Sequence, residues 1–170
     1  MEVYFLRHGE AGKRMAVAER DSERGLTESG RQEVKGIGES MAGLDLKFDL
    51  VATSPLKRAK ETATIVNKAL RRKGSVEEWI ELLPEGSREA LYRRLGKLRA
   101  GMSILLVGHE PYLTTTINEL AAKGSSKDGG TKIVLKKGGL ARLSVSGSGA
   151  RLSGELRWLL SPKLMRKMAD

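Results

Sequence analysis

The chain has no cysteine, which removes disulfides, thiolate chemistry and cysteine-based zinc sites at once. It has only two histidines, and neither sits in a spaced ligand motif, so no metal and no cofactor is expected. Aromatic residues make up 4% of the chain, and none is interleaved with the basic cluster as stacking on single strands would need. No apolar run reaches the roughly 18 residues of a membrane span. No GxxxxGKS/T loop is present to cradle a nucleotide phosphate. Met1 leads straight into an apolar segment, which leaves no room for a signal peptide and makes a cytoplasmic location the expectation.

What is present fits one globular domain over residues 1–170, with 39% hydrophobic and 31% charged side chains. The net charge of +10 is uneven. Residues 1–122 hold 20 basic and 18 acidic side chains, whereas residues 123–170 hold 11 and 3. Such a basic tail suits nucleic acid, an acidic surface or an acidic protein, and equally an ordinary solvated face. With so few aromatics, nucleic acid is not the expected partner, and neither is a membrane.

Two short apolar runs organise the chain, Tyr4-Phe5-Leu6-Arg7-His8-Gly9-Glu10 and Ile104-Leu105-Leu106-Val107-Gly108-His109. Each reads as a buried parallel strand ending in a histidine. In open α/β sheets the ligand crevice lies beyond the carboxyl ends of the strands. One histidine so placed would pass for a polar loop residue; both so placed, with none elsewhere, point to a shared site. Between the runs, residues 10–25 read as a polar loop with Lys13, Arg14, Arg20 and Arg24. Thr27 is expected to cap a helix whose apolar stripe is Val34, Ile37, Met41 and Leu44. Residues 48–52 form a second strand, after which Ser54 can cap and Pro55 can open a helix. Arg58 stands near that helix start, where the dipole disfavours cations unless an anion binds there. Lys57 and Lys60 share the peculiarity, so position alone does not single out Arg58.

A third strand is expected at 76–83, a helix at 88–99, a fourth strand at 102–107 and a helix from Pro111. Residues 123–132 read as a Gly/Ser/Lys loop. Residues 140–145 and 152–160 alternate as an antiparallel pair joined by Ser146-Gly147-Ser148-Gly149, and a last basic helix starts at Ser161-Pro162. The fold class is α/β, a three-layer α/β/α sandwich with a mainly parallel central sheet and an antiparallel edge.

Arg7, His8, Arg58 and His109 together would make a strongly cationic pocket suited to a dianion such as phosphate. A neutral imidazole is a good nucleophile towards phosphorus, and surrounding positive charge keeps it unprotonated. The guanidiniums and the second histidine would stabilise charge on the transferring group without magnesium.

These residues resemble the histidine phosphatase superfamily, which includes phosphoglycerate mutase and acid phosphatases. The resemblance runs in order through Arg7-His8-Gly9-Glu10, Leu26-Thr27-Glu28-Ser29-Gly30, Ser54-Pro55-Leu56-Lys57-Arg58-Ala59-Lys60-Glu61-Thr62-Ala63, Val107-Gly108-His109-Glu110-Pro111 and Lys137-Gly138-Gly139-Leu140-Ala141. It implies a phosphoglycerate mutase-like fold, phosphorylation of His8, phosphate held by Arg7 and Arg58, and His109 as the second histidine of the pocket. Within the superfamily the short chain and the GHEP and KKGGLARL stretches look most like SixA-type phosphohistidine phosphatases. The implied partner is a phosphohistidine-bearing protein.

Two departures stand out. Larger members carry an acid after the third strand to protonate a leaving alcohol, and here the candidate is Glu85, one position off, with Pro84 in its place. Without that acid, alkyl leaving groups would lose about 10²–10⁴-fold in rate, whereas a phosphorylated imidazole leaves more readily. Where mutase-like members place an asparagine, this chain has Lys13 and Arg14. No segment is long enough for a lid, so a shallow, open site is expected. The alternatives are a small-molecule phosphomonoesterase using Glu85 on a small phosphorylated substrate, and a non-catalytic anion or nucleic-acid binding module built on the basic C-terminal third. The oligomeric state is left open.

Overall fold

The computed structural model describes residues 1–122 and 133–169. The Tyr4-to-Arg7 run forms β1 (Glu2–Arg7) and the second apolar run forms β4 (Ser103–Gly108). β1 pairs in parallel with β4, β4 with β2 (Leu50–Thr53) and β2 with β3 (Val76–Glu78), while β5 (Leu140–Ser148) pairs antiparallel with β1 and β6 (Arg151–Leu160) antiparallel with β5. The six strands lie in the order β3-β2-β4-β1-β5-β6. The expected mixed sheet, parallel with an antiparallel edge, is what the chain forms.

Because side chains alternate along a strand, the sheet divides its core in two. Val3 and Phe5 of β1 face one side, packing with Ile104, Leu106 and the helices α4 (Arg88–Leu95) and α5 (Tyr112–Ala122). Tyr4 and Leu6 face the other, with Leu105, Val107, α2 (Glu28–Gly43) and α3 (Lys57–Ala69). The last helix, α6 (Pro162–Ala169), lies against α2 through buried Met165. Helices on both faces of one sheet complete the three layers.

Several boundaries differ from the sequence expectation. The third strand stops at Glu78, and a 3-10 turn at Ile80–Leu82 follows; Leu82 turns inward to the core, which an extended strand would not allow. The next helix ends at Leu95 rather than 99. The final hairpin runs on through Ser146 to Ser148, with a tighter turn than the expected one. The supposed loop at 10–25 carries a five-residue helix, α1 (Ala18–Ser22). Leu44 follows the end of α2 and is exposed, while Val34, Ile37 and Met41 are fully buried. Residues 123–132, read as a loop, lie outside the described residues.

Register positions the site. Arg7 of β1 pairs with Gly108 of β4, so the next residues, His8 and His109, leave adjacent strands at one level. The His8 N–H then donates to the Gly108 carbonyl at 3.0 Å. Thr27 caps α2 as expected, accepting from Gly30 N–H at 3.0 Å. That helix comes so close to the chain after His8 that a Cβ on Gly30 would collide with the Glu10 backbone, and one on Gly9 with Val34. The glycines of the two motifs are thus required by one close approach.

Candidate active site

His8 and His109 face each other with ring centroids 5.0 Å apart and planes inclined at 56°. They are 8% and 2% exposed, and Arg58 is 5% exposed. Burial is what separates Arg58 from its neighbours, since Lys57 and Lys60 lie exposed in ion pairs with Glu23 and Glu78. Arg7 extends from the end of β1 and donates from Nη1 to the Leu135 carbonyl at 2.9 Å. The four residues therefore come together at the carboxyl end of the sheet.

The hydrogen bonds fix the tautomer of His8. His8 Nδ1 lies 2.7 Å from the Gly9 carbonyl oxygen, which only accepts, so Nδ1 carries the proton. The lone pair is left on Nε2. His109 Nε2 lies 2.8 Å from the Ser54 hydroxyl, and that hydroxyl accepts from Leu56 N–H at 3.3 Å. When the Ser54 hydroxyl donates to Nε2 the His109 proton sits on Nδ1; the same hydroxyl can also accept from Nε2. Ser54 is fully buried. It does not act as the helix cap the sequence suggested: α3 begins later, with Leu56 as its N-cap residue.

Burial holds the His8 pKa down to about 4, with the guanidiniums of Arg58, Arg7 and Arg24 adding to the effect and the Gly9 carbonyl opposing it. Desolvation outweighs the surrounding positive charge that the sequence points to. His109 is pushed to about 2, first by burial and then by His8 and the same arginines. Both rings are neutral at physiological pH. Burial also lowers Arg7, partly offset by Glu110, and lowers Arg58, with Arg24 adding and Asp21 opposing.

Among the described residues, four buried side-chain nitrogen or oxygen atoms have no hydrogen-bond partner. Three of them are Arg7 Nε, Arg58 Nε and His109 Nδ1; the fourth is Tyr112 Oη. Buried polar groups are paired in nearly all folded proteins, and leaving one unmet costs about 1–3 kcal/mol. Two such guanidinium donors and an imidazole nitrogen from one pocket, beside the His8 Nε2, match what an oxyanion would accept.

Glu85 is placed differently. It is exposed in the turn after the 3-10 element, closed by Gly86 N–H donating to the Leu83 carbonyl at 2.9 Å. It has no hydrogen-bond or ion-pair partner among the described residues. Lys13 and Arg14 are exposed as well. Residues the sequence did not single out do bear on the site. Thr62 accepts from Gly9 N–H at 3.1 Å and donates to the Arg58 carbonyl at 2.7 Å, joining the segment after His8 to the helix that carries Arg58. Asp21 and Arg24, in and just after α1, adjoin Arg58. Nothing in their residue types among so many charges distinguished them. Among the described residues no group of three or more His, Asp or Glu side chains could hold a metal ion, and no helix is long and apolar enough to cross a membrane.

The family described as the histidine phosphatase superfamily (branch 1) matches residues 3–83. An uncharacterised protein of Picosynechococcus sp. is 36% identical over 169 residues, covering 96% of this chain and 98% of its own length. The phosphohistidine phosphatase SixA of Escherichia coli is 28% identical, covering 95% and 94%. A solved structure of the protein histidine phosphatase SixA complexed with tungstate aligns with a TM-score of 0.79 at 28% identity, over 96% of this chain and 98% of that one.

Proposed function

Since the chain belongs to the histidine phosphatase superfamily, we propose that it is a cytoplasmic, single-domain phosphatase that takes phosphoryl groups from protein phosphohistidine onto His8. The observation that carries this reading is the His8 Nε2 lone pair beside three buried nitrogens with no partner of their own, two of them guanidinium donors. His8 Nε2 attacks phosphorus, the new N–P bond forms in line as the bond to the leaving group breaks, and water later hydrolyses the phosphoenzyme. Arg7, Arg58 and the Nδ1–H of His109 donate to the phosphoryl oxygens as their charge redistributes. The low pKa keeps Nε2 unprotonated, so no base is needed to free it.

Two features favour a protein substrate. A leaving imidazole depends little on a general acid, which agrees with an exposed Glu85 that has no partner among the described residues. Large apolar side chains also stand exposed on segments that leave the carboxyl edge of the sheet: Met15, Val17 and Ile80, with Val134 next to the residue that anchors Arg7. SixA of Escherichia coli is named for phosphohistidine, and a SixA was solved with tungstate, a tetrahedral dianion.

The test is to trap 32P on the protein and map it. Label on His8, lost in His8→Ala, is expected, with a phosphohistidine protein hydrolysed far faster than a small phosphorylated metabolite. Glu85→Gln should leave phosphohistidine turnover within about threefold. A loss of about 10²-fold or more on alkyl phosphates in that variant, together with faster turnover of a small metabolite, would turn the assignment to a phosphomonoesterase with Glu85 as its acid.

A further inference from the structure

The phosphate ligands discussed so far come from β1, α3 and β4. The segment between β1 and α2 supplies another charged group against the same pocket. Arg58 Nη1 donates to the Asp21 carbonyl at 3.0 Å and lies 3.4 Å from Asp21 Oδ2. The same carboxylate takes Arg24 through two atoms, Nε to Oδ1 at 2.8 Å and Nη2 to Oδ2 at 3.3 Å. Oδ1 also accepts from Met15 N–H at 3.0 Å. Arg24 Nη1 donates to the Gly12 carbonyl at 2.9 Å, four residues beyond His8.

We propose that Asp21 is a positioning residue of the phosphate site, holding Arg58 and Arg24 side by side so that Arg24 acts as a further cation on the bound anion. The proposal rests on the reading of the pocket as a phosphate site. Two guanidiniums that share one carboxylate repel each other, and the carboxylate between them offsets that cost while leaving the pocket positive. The side chains of Arg58, Arg24 and Asp21 are 6%, 13% and 16% exposed, unlike the loose surface pairs elsewhere on the chain. The two-atom contact fixes the plane of the Arg24 fork, which a single-point ion pair would not. Asp21 spends its contacts on Arg58 Nη1 and leaves Arg58 Nε unpartnered for the anion. The charge on Arg24 is felt at both imidazoles, and Asp21 itself stays ionised, with its carboxyl held at about 2 chiefly by the Arg24 hydrogen bond.

The rival explanation is that Asp21 and Arg24 merely anchor their loop. The experiment is calorimetric titration of inorganic phosphate into the intact protein, with thermal midpoints and kcat and KM on a phosphohistidine substrate measured alongside. Arg24→Gln should weaken phosphate about tenfold, and Arg24→Lys, which keeps the charge but loses the two-atom contact, should fall between Arg24→Gln and the parent. Asp21→Asn keeps an acceptor for Met15 N–H but drops the charge; misplacing Arg58 should lower kcat on the order of 10–100-fold, more than it changes KM. Arg31→Gln removes a guanidinium paired with Glu61 at 2.9 Å that is not among the charges acting on His8, His109 or Arg58, and it should leave phosphate binding unchanged.

If Arg24→Gln and Asp21→Asn bind phosphate within twofold of the parent while their midpoints fall, the loop-anchor explanation wins and the proposal is overturned. Equal weakening by Arg31→Gln overturns it too, since a general positive field would then suffice. Should Asp21→Asn fail to fold, the two Arg24 variants decide. Absence of 32P on His8 would remove the hydrolase reading, yet the phosphate titration would still decide on Asp21 and Arg24.

Discussion

His8 is a base kept in the dark: an imidazole 8% exposed, with three guanidiniums acting on it and one carbonyl fixing its tautomer. An ordinary histidine would be about half protonated near pH 6.5. This one should stay neutral through that range and titrate only near pH 4. The chain has just two histidines, so the ring signals can be followed by NMR, with His8→Asn giving the assignment. A bound dianion favours the charged ring, so added phosphate should move the midpoint upward. A midpoint near 6.5 without phosphate would contradict the burial argument. The two histidines were legible from sequence because each ends an apolar run and no others compete. Arg58 was not separable from Lys57 and Lys60 by position; what separates it is burial against Asp21, 37 residues away. Asp21 and Ser54 acquire their meaning only from such long-range neighbours, Ser54 from His109, 55 residues on.

At the level of elements, strand and helix order could be read because apolar periodicity survives local detail, and boundaries were lost where packing overrode it. The end of β3 is such a case: Leu82 must turn inward, and a 3-10 turn does this where a longer strand could not. The short α1 carries no apolar stripe, so periodicity had nothing to detect. The approach of α2 to the chain after His8 makes a prediction of unusual sign. Gly→Ala inside a helix ordinarily stabilises by up to about 1 kcal/mol. At Gly43, where a Cβ meets nothing within 4 Å, Gly43→Ala should do so. At Gly30 the new methyl would strike the Glu10 backbone, so Gly30→Ala should cost about 1–3 kcal/mol and displace the residues beside His8. Urea unfolding of the two variants, with phosphatase activity measured on each, compares them directly. Equal stabilisation by both would mean that α2 is free to move off the loop.

For the whole molecule, the site makes stability depend on pH. The folded protein keeps His8 neutral to about pH 4, while the unfolded chain protonates it near 6.5. Below 6.5 the unfolded state therefore binds more protons, so stability is fully present above that pH and drains away as pH falls towards 4. The gap is worth about 3 kcal/mol for His8 alone, against a total stability of about 5–15 kcal/mol for a typical domain. His109, lowered by the same burial, acts in the same direction. Asp21 works lower down: its contribution is present above about 3.8 and is lost only as pH falls through about 2. The net charge of +10 also destabilises the compact state as carboxylates protonate, so a fall in stability with acid is not diagnostic by itself. The comparison that isolates the histidine is His8→Asn, which keeps the charge of the neutral ring and cannot titrate. Between pH 7.5 and 4.5 the parent should lose about 2.5 kcal/mol more than His8→Asn in urea unfolding. Both proteins share the remaining charges, so the background of general repulsion cancels in the difference. Parallel pH profiles for the two would mean that His8 titrates in the folded protein as it does in the unfolded chain.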